Sequence, residues 1–160
     1  MVRRWQIRRS RAADLDTLVA LWERSVRATH DFLTEADIDA LRPLVGDALS
    51  NDALELWVLT DKTDVLMGFM GLAGNDIAAL FLEPAHRGQG GGRRLVAHAQ
   101  ELRAGHLTVD VNEQNPAARG FYEALGFVVV GRSPLDDDGR PFPILHMRRP
   151  TTSDPRLAAR

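Results

Sequence analysis

The sequence predicts an α/β protein built on one mixed β-sheet. Three observations carry this. Short apolar runs alternate with longer segments whose apolar residues recur every three or four positions, the periods of strand and helix. They fall in the order β-α-α-β-β-β-α-β-α-β-β, which asks for hairpins in some places and crossover helices in others. A length of 160 residues, 44% of them hydrophobic and 26% charged, suits one globular domain with a real core. Residues 1–150 are read as that single domain, without repeat or linker. Residues 151–160 have little to bury and are read as a flexible tail.

Trp5, Ile7 and Arg9 alternate with their neighbours and suggest a first strand. Leu15, Leu18, Val19, Trp22 and Val26 mark one face of a first helix. Thr34, with Asp37 three residues on, reads as a capping box opening a second helix that carries Ile38, Leu41, Val45 and Leu49. Pro43 is expected to kink that helix or break it in two. Trp57 to Leu59 and Val65 to Leu72 read as a hairpin about the turn Asp61-Lys-Thr-Asp64, with Gly68, Gly71 and Gly74 loosening the return strand.

Ile77 to Leu82 is a short apolar run, stopped by Pro84, which has no N–H to give a sheet. A helix starts near Gly91, with Leu95, Val96, Ala99 and Leu102 on its face. Leu107 to Val111 is a further strand. Asn115-Pro116 is an N-cap and first helical position, and Gly126 a stop. Between them Ala118, Phe121, Tyr122 and Leu125 share one face. Phe127 to Val130 and Ile144 to Met147 complete the sheet.

A net charge of −2 and a pI near 6.2 argue against a chain held on nucleic acid by bulk charge. Nineteen of the twenty basic residues are arginine, scattered along the chain and read as coding bias. With no cysteine, disulfides, thiolate metal sites and a cysteine nucleophile are excluded. No apolar run is long enough for a transmembrane helix, and the first residues lack a signal-peptide core, so a cytoplasmic protein is expected.

One stretch organises the rest: a strand, then Arg87-Gly-Gln-Gly-Gly-Gly92, then a helix. Glycines let a backbone approach a ligand and adopt positive φ. The first helical turn offers unpaired N–H groups and the positive end of a dipole, an arrangement that holds phosphate. Arg87, Arg93 and Arg94 add charge. The spacing fits neither a P-loop nor a dinucleotide fingerprint.

What stands is Arg87-x-x-Gly90-x-Gly92, which resembles the Gln/Arg-x-x-Gly-x-Gly/Ala signature of the GNAT superfamily of N-acetyltransferases. Downstream, Asn115-x-x-Ala118-x-x-Phe121-Tyr122-x-x-x-Gly126-Phe127 is similar to that family's second motif. The resemblance covers roughly residues 5–149. Ser25 to Leu33 and Asp137 to Pro143 resemble the small bacterial branch called YjaB-type.

The resemblance implies the GNAT fold, in which two parallel strands, here Ile77–Leu82 and Leu107–Val111, splay to admit the pantetheine arm of acetyl-CoA. It implies that Arg87, Gly88, Gln89, Gly90, Gly91 and Gly92 hold the pyrophosphate, chiefly by backbone N–H. The strand end at Leu80, Phe81 and Leu82 pairs with the pantetheine amides, and Asn115 contacts the same molecule. Tyr122, the one tyrosine in the chain, is the general acid: a phenol is protonated at neutral pH and donates to a departing thiolate. The base is Asp110, with Glu83, His30 and a water-borne route as alternatives. Trp22, Thr29, His30 and Phe32 mix aromatic and polar types without a single face, as a pocket wall for the acceptor. The remaining histidines have no metal spacing and are read as structural or solvated, and Asp136 to Gly139 as a hairpin turn.

The expected activity is direct acetyl transfer from acetyl-CoA, as co-substrate and without a metal, to a primary amine of a small molecule or peptide. The expected partners exclude nucleic acid and membrane, and the expected state is monomer or homodimer. Two rivals remain. One is a non-catalytic acyl-CoA-binding module. The other is an acetyltransferase acting on aminoacyl-tRNA, against which the pI speaks.

Overall fold

The structure, a computed structural model, describes residues 5–150; the expected tail lies outside them. Among the described residues the strands are β1 (Gln6–Arg9), β2 (Glu55–Thr60), β3 (Leu66–Ala73), β4 (Asp76–Leu82), β5 (Leu107–Asn112), β6 (Val128–Ser133) and β7 (Ile144–Arg149). The helices are α1 (Leu15–Thr29), α2 (Glu35–Ser50), α3 (Gly91–Leu102) and α4 (Pro116–Ala124). The succession is the one the sequence predicts. The strands form a seven-stranded mixed sheet in the order β1-β2-β3-β4-β5-β7-β6. β1 pairs β2 and β2 pairs β3 antiparallel. β4 runs parallel to β5 through Asp76↔Thr108 and Ile77↔Val109. β7 pairs both β5 and β6 antiparallel. The chain divides into two compact units, one running through Ala73 and including Ala78–His98, the other Gly74–Ile77 with Ala99 onward.

In the first unit the apolar stripes of α1 (Leu18, Leu21, Trp22, Val26) and α2 (Ile38, Leu49) bury against Leu56, Val58 and Phe69 of the strands. Each such side chain contributes about 1.5–3 kcal/mol by leaving water. The capping box of α2 forms as predicted: Asp37 N–H donates to Thr34 Oγ1 at 3.1 Å, and Thr34 N–H to Asp37 Oδ2 at 2.9 Å. Pro43 does not divide α2, which runs on to Ser50. The proline removes one helical donor, while the packed residues on both sides keep the segment helical. The β2–β3 turn is held by Asp61, whose Oδ1 accepts from the N–H groups of Thr63 and Val65. Lys62 stands exposed in it.

In the second unit Val109 and Val111 of β5, Leu145 and Met147 of β7, and Tyr122 and Phe127 are all buried. Alternation puts Thr108, Asp110 and His146 on the opposite, polar face. Asn115 caps α4, its Oδ1 accepting from Ala118 N–H at 3.1 Å, and Gly126 at φ +94° ends the turn beyond it. β6 extends further than predicted, to Ser133. Its register shifts between Val129 and Gly131, a bulge that lets the strand pass the glycine and keep pairing with β7. Asp136 closes the β6–β7 loop as a turn, accepting from the N–H groups of Asp138 and Arg140.

Candidate active site

β4 ends at Leu82, where Glu83 N–H donates to Met67 O at 2.8 Å. A single 3-10 turn, Pro84–His86, leads to Arg87, and α3 begins at Gly91. Gly88 and Gly90 have φ of +71° and +90°, a region that side chains disfavour. A Cβ built on either meets no heavy atom within 4 Å, so the space over the turn is open. Gly91 is required for a different reason. Its Cβ would stand 2.9 Å from Leu59 Cδ2 and 3.4 Å from Leu82 Cδ2, so only glycine lets α3 start this close to the strands. Gly92 is buried in the same first turn, and Arg93 and Arg94 are exposed. An open, glycine-lined turn before the first N–H groups of a helix fits a diphosphate.

Arg87 does not reach out over that turn. Its Nη2 donates to the carbonyl and hydroxyl oxygens of Ser25 at the end of α1, each at 3.1 Å, and burial pulls its pKa down from the ordinary guanidinium value. Beside it, Gln89 Oε1 and His86 Nδ1 are buried without a partner, polar atoms that a ligand in the turn would satisfy.

Leu80, Phe81 and Leu82 are half-buried on β4, the Phe81 ring 5.5 Å from that of Phe69. At the C-terminal end of α1, Thr29 Oγ1 donates to Ser25 O at 2.8 Å and lies 2.9 Å from His30 Nδ1. The His30 ring sits 5.3 Å from that of Phe32. Burial, and secondarily the charge of Arg87, push the His30 pKa below its ordinary value, so the imidazole is neutral at pH 7. Trp22, expected on the pocket wall, is 4% exposed and packs in the core with Leu18, Leu21 and Val26; its indole belongs to the apolar stripe of α1. Thr29, His30 and Phe32 are only partly buried. Glu83 is engaged by Arg24 through three contacts, at 2.9, 3.2 and 2.7 Å.

In the second unit Tyr122 is buried on α4 between Phe121 and Phe127, edge to face with both at 5.0 and 5.3 Å. Burial, with a smaller contribution from the Asp76 carboxylate, raises its pKa well above that of a free phenol. The hydroxyl therefore keeps its proton throughout the physiological range. Asn115 is 8% exposed.

Asp110 is not alone on its strand face. Its Oδ1 lies 2.7 Å from His146 Nδ1, and His146 Nε2 lies 2.7 Å from Ser133 Oγ. Sequence reasoning set His146 aside and placed Ser133 outside the sheet. The signal that was available is the alternation along β7, which puts His146 on the polar face. The cross-strand pairing that joins it to Asp110 is long-range and has no local signature. His98 has a structural place, its ring 4.4 Å from that of Trp57 and edge-on.

Among the described residues no helix is long and apolar enough to cross a membrane. The family model described as "Acetyltransferase (GNAT) domain" matches residues 52–129. The chain is 49% identical over 144 residues to the peptidyl-lysine N-acetyltransferase YjaB of Salmonella typhimurium, covering 90% of this chain and 97% of that protein. It resembles the solution structure of the apo form of YjaB from Escherichia coli with a TM-score of 0.82, at 47% identity, over 92% of this chain and 97% of the other. The fold is shared with PaiA N-acetyltransferase of Thermoplasma acidophilum, solved in complex with coenzyme A, at a TM-score of 0.73 and 20% identity, over 91% and 98% of the two chains. The glycine turn, the Asn115-to-Phe127 motif and these likenesses together place the chain in the GNAT family of acetyltransferases, in the branch that holds YjaB.

Proposed function

We propose that the protein moves the acetyl group of acetyl-CoA directly onto the side-chain amine of lysine in a peptide or protein. One observation carries the co-substrate half: Gly88 and Gly90, both at positive φ, leave open space ahead of the α3 N-terminus. The acceptor half is supported by close relatives named peptidyl-lysine N-acetyltransferases.

In this reading the backbone of Arg87, Gly88, Gln89, Gly90, Gly91 and Gly92 holds the diphosphate. The backbone of Leu80, Phe81 and Leu82 takes the pantetheine arm as an added strand, with Asn115 against the same molecule. Bound acetyl-CoA supplies an activated thioester carbonyl and a thiolate leaving group. Tyr122 keeps a proton on its hydroxyl for that sulfur. Asp110 is the base that takes the proton from the amine. Thr29, His30 and Phe32 line the acceptor's approach, with Trp22 behind them in the core. A chain without cysteine forms no cysteine acyl-enzyme, which favours direct transfer in a ternary complex.

The test is to incubate the protein with acetyl-CoA and a panel of lysine peptides, polyamines and amino acids, following thiol release and mass. Acetyl-lysine in the peptides is the expected product. Tight acetyl-CoA binding without turnover on any amine overturns the enzymatic reading in favour of a binding module. Turnover on small amines alone overturns the peptide acceptor.

A further inference from the structure

An open groove of about 460 Å³ lies between α1 and α2, wholly within the first unit. Its floor is apolar: Leu15 and Val19 of α1 line it, half-buried, and both pack against the core beneath. Its rim is acidic. Asp16 on α1 and Asp47 on α2 stand exposed there, and among the described residues neither carboxylate makes an ion pair. At one end Arg42 joins the two helices, its Nε donating to Glu23 Oε1 at 2.6 Å.

Gly46 keeps the groove open. It lies inside α2, where glycine is less stable than alanine, yet a Cβ there meets no heavy atom within 4 Å. No packing therefore excludes a side chain at this position. Arg42, Gly46 and Ser50 recur every four residues along the wall that α2 supplies, so the gap falls at its middle.

An apolar floor under carboxylates fits a cation on an aliphatic stem. The methylenes lie along Leu15 and Val19 while the charged head stays at Asp16 and Asp47. The volume falls in the range of ligand sites, about 300–1,000 Å³. The unpaired carboxylates repel phosphate, which makes a nucleic acid a poor occupant. α1 itself relates the groove to the acceptor's approach, because it carries one wall and ends in Thr29, next to His30. Val19 stands about 15 Å from Thr29 along the helix axis, a span that an extended peptide crosses in about four or five residues. The arginines beside that path are already matched: Arg27 by Glu23 and Glu35, Arg42 by Glu23 and Asp39.

We propose that this groove docks a lysine or arginine side chain of the acceptor protein, about four or five residues from the lysine that is acetylated; this rests on the peptidyl-lysine reading above and deepens it. No bond is made or broken in the groove. It holds the acceptor by ion pairing and apolar contact, so it acts on KM and not on kcat. It selects acceptors whose modified lysine stands in a basic stretch of sequence.

The experiment measures acetyl transfer to two synthetic peptides with a single lysine each, one carrying arginines at that distance and the other alanines. Arginine is chosen because a guanidinium is a poor acyl acceptor. Wild type is expected to show a KM roughly fivefold lower for the arginine peptide, the scale of exposed ion pairs. The difference is expected to vanish at about 1 M salt. Asp16→Asn combined with Asp47→Asn, and separately Gly46→Leu, are expected to raise that KM to the alanine-peptide value and to leave kcat and the KM for acetyl-CoA unchanged. Open space at the Cβ and the better helix propensity of leucine let Gly46→Leu keep its fold. Equal wild-type KM values for the two peptides, or a preference that survives in both variants, overturn the groove while acetyl transfer stands. Sedimentation showing a dimer that Gly46→Leu dissociates, with the peptide preference intact, overturns it in favour of a second copy as occupant. A wild type that acetylates small amines alone overturns the peptide reading and the groove with it. A wild type that transfers no acetyl group overturns the transferase reading and this docking role with it.

Discussion

Arg87 is bound to Ser25: one guanidinium nitrogen lies 3.1 Å from both the carbonyl and the hydroxyl oxygen of the serine, 62 residues earlier in the chain. The residue that opens the glycine turn is thus pinned to the last turn of α1, the helix that runs into Thr29 and His30. Arg87→Lys keeps the charge and loses the planar fork. Buried Ser25 then loses a partner, at a cost of about 1–3 kcal/mol of stability. The turn loosens with it, and calorimetry should show acetyl-CoA binding weakened about tenfold, roughly 1.4 kcal/mol. Unchanged affinity would detach Arg87 from the phosphate site.

Gly90→Val meets two obstacles at once. A β-branched residue at φ +90° is strained by about 1–3 kcal/mol, and its side chain rises into the open space over the turn. The protein should still fold, by circular dichroism, while acetyl-CoA affinity falls at least about tenfold. A variant that binds normally would place the diphosphate elsewhere.

Tyr122→Phe removes a proton donor and little volume. We expect kcat to fall roughly 10- to 100-fold with KM for acetyl-CoA nearly unchanged. Because burial and Asp76 both raise the phenol pKa, the wild-type rate should show no loss from this group up to about pH 10. A basic limb that appears at lower pH and vanishes in Tyr122→Phe would contradict the buried, protonated phenol.

His30 titrates below its unfolded value, because burial and then Arg87 disfavour the cation. The unfolded chain therefore takes up a proton near pH 6.5 while the folded chain does not. The stability linked to this group is full above that pH and is lost as pH falls below it. Urea melts at about pH 7.5 and about pH 5.5 should show a loss for wild type that is smaller in His30→Gln. Equal losses in both would assign the acid sensitivity to other groups.

Much of the fold was legible because its signals are local. Thr34 and Asp37 announce α2, Asn115-Pro116 and Gly126 bracket α4, and the glycine run marks where β4 gives way to α3. The candidate site rests on equally local signals: the turn and Tyr122 lie in contiguous motifs. What escaped notice depends on pairing across the sheet. Gly131 looked like the end of β6, yet a bulge carries the strand past it. His146 looked solitary, yet β5 and β6 bring Asp110 and Ser133 to its two nitrogens. Trp22 looked like a pocket aromatic because its neighbours are polar; α1 turns it inward with Leu18 and Leu21. Pro43 does not break α2 in two because its penalty is local, whereas the packing that outweighs it is not.

Lys62, exposed at the tip of the β2–β3 turn, is the chain's one lysine, set against nineteen arginines. Guanidinium groups stay protonated at any physiological pH and are poor acyl acceptors. On the reading proposed here, a catalyst of lysine modification thus presents its own reagent with one susceptible side chain. It is close to immune to its own chemistry, and any record of self-labelling on lysine is written at a single address.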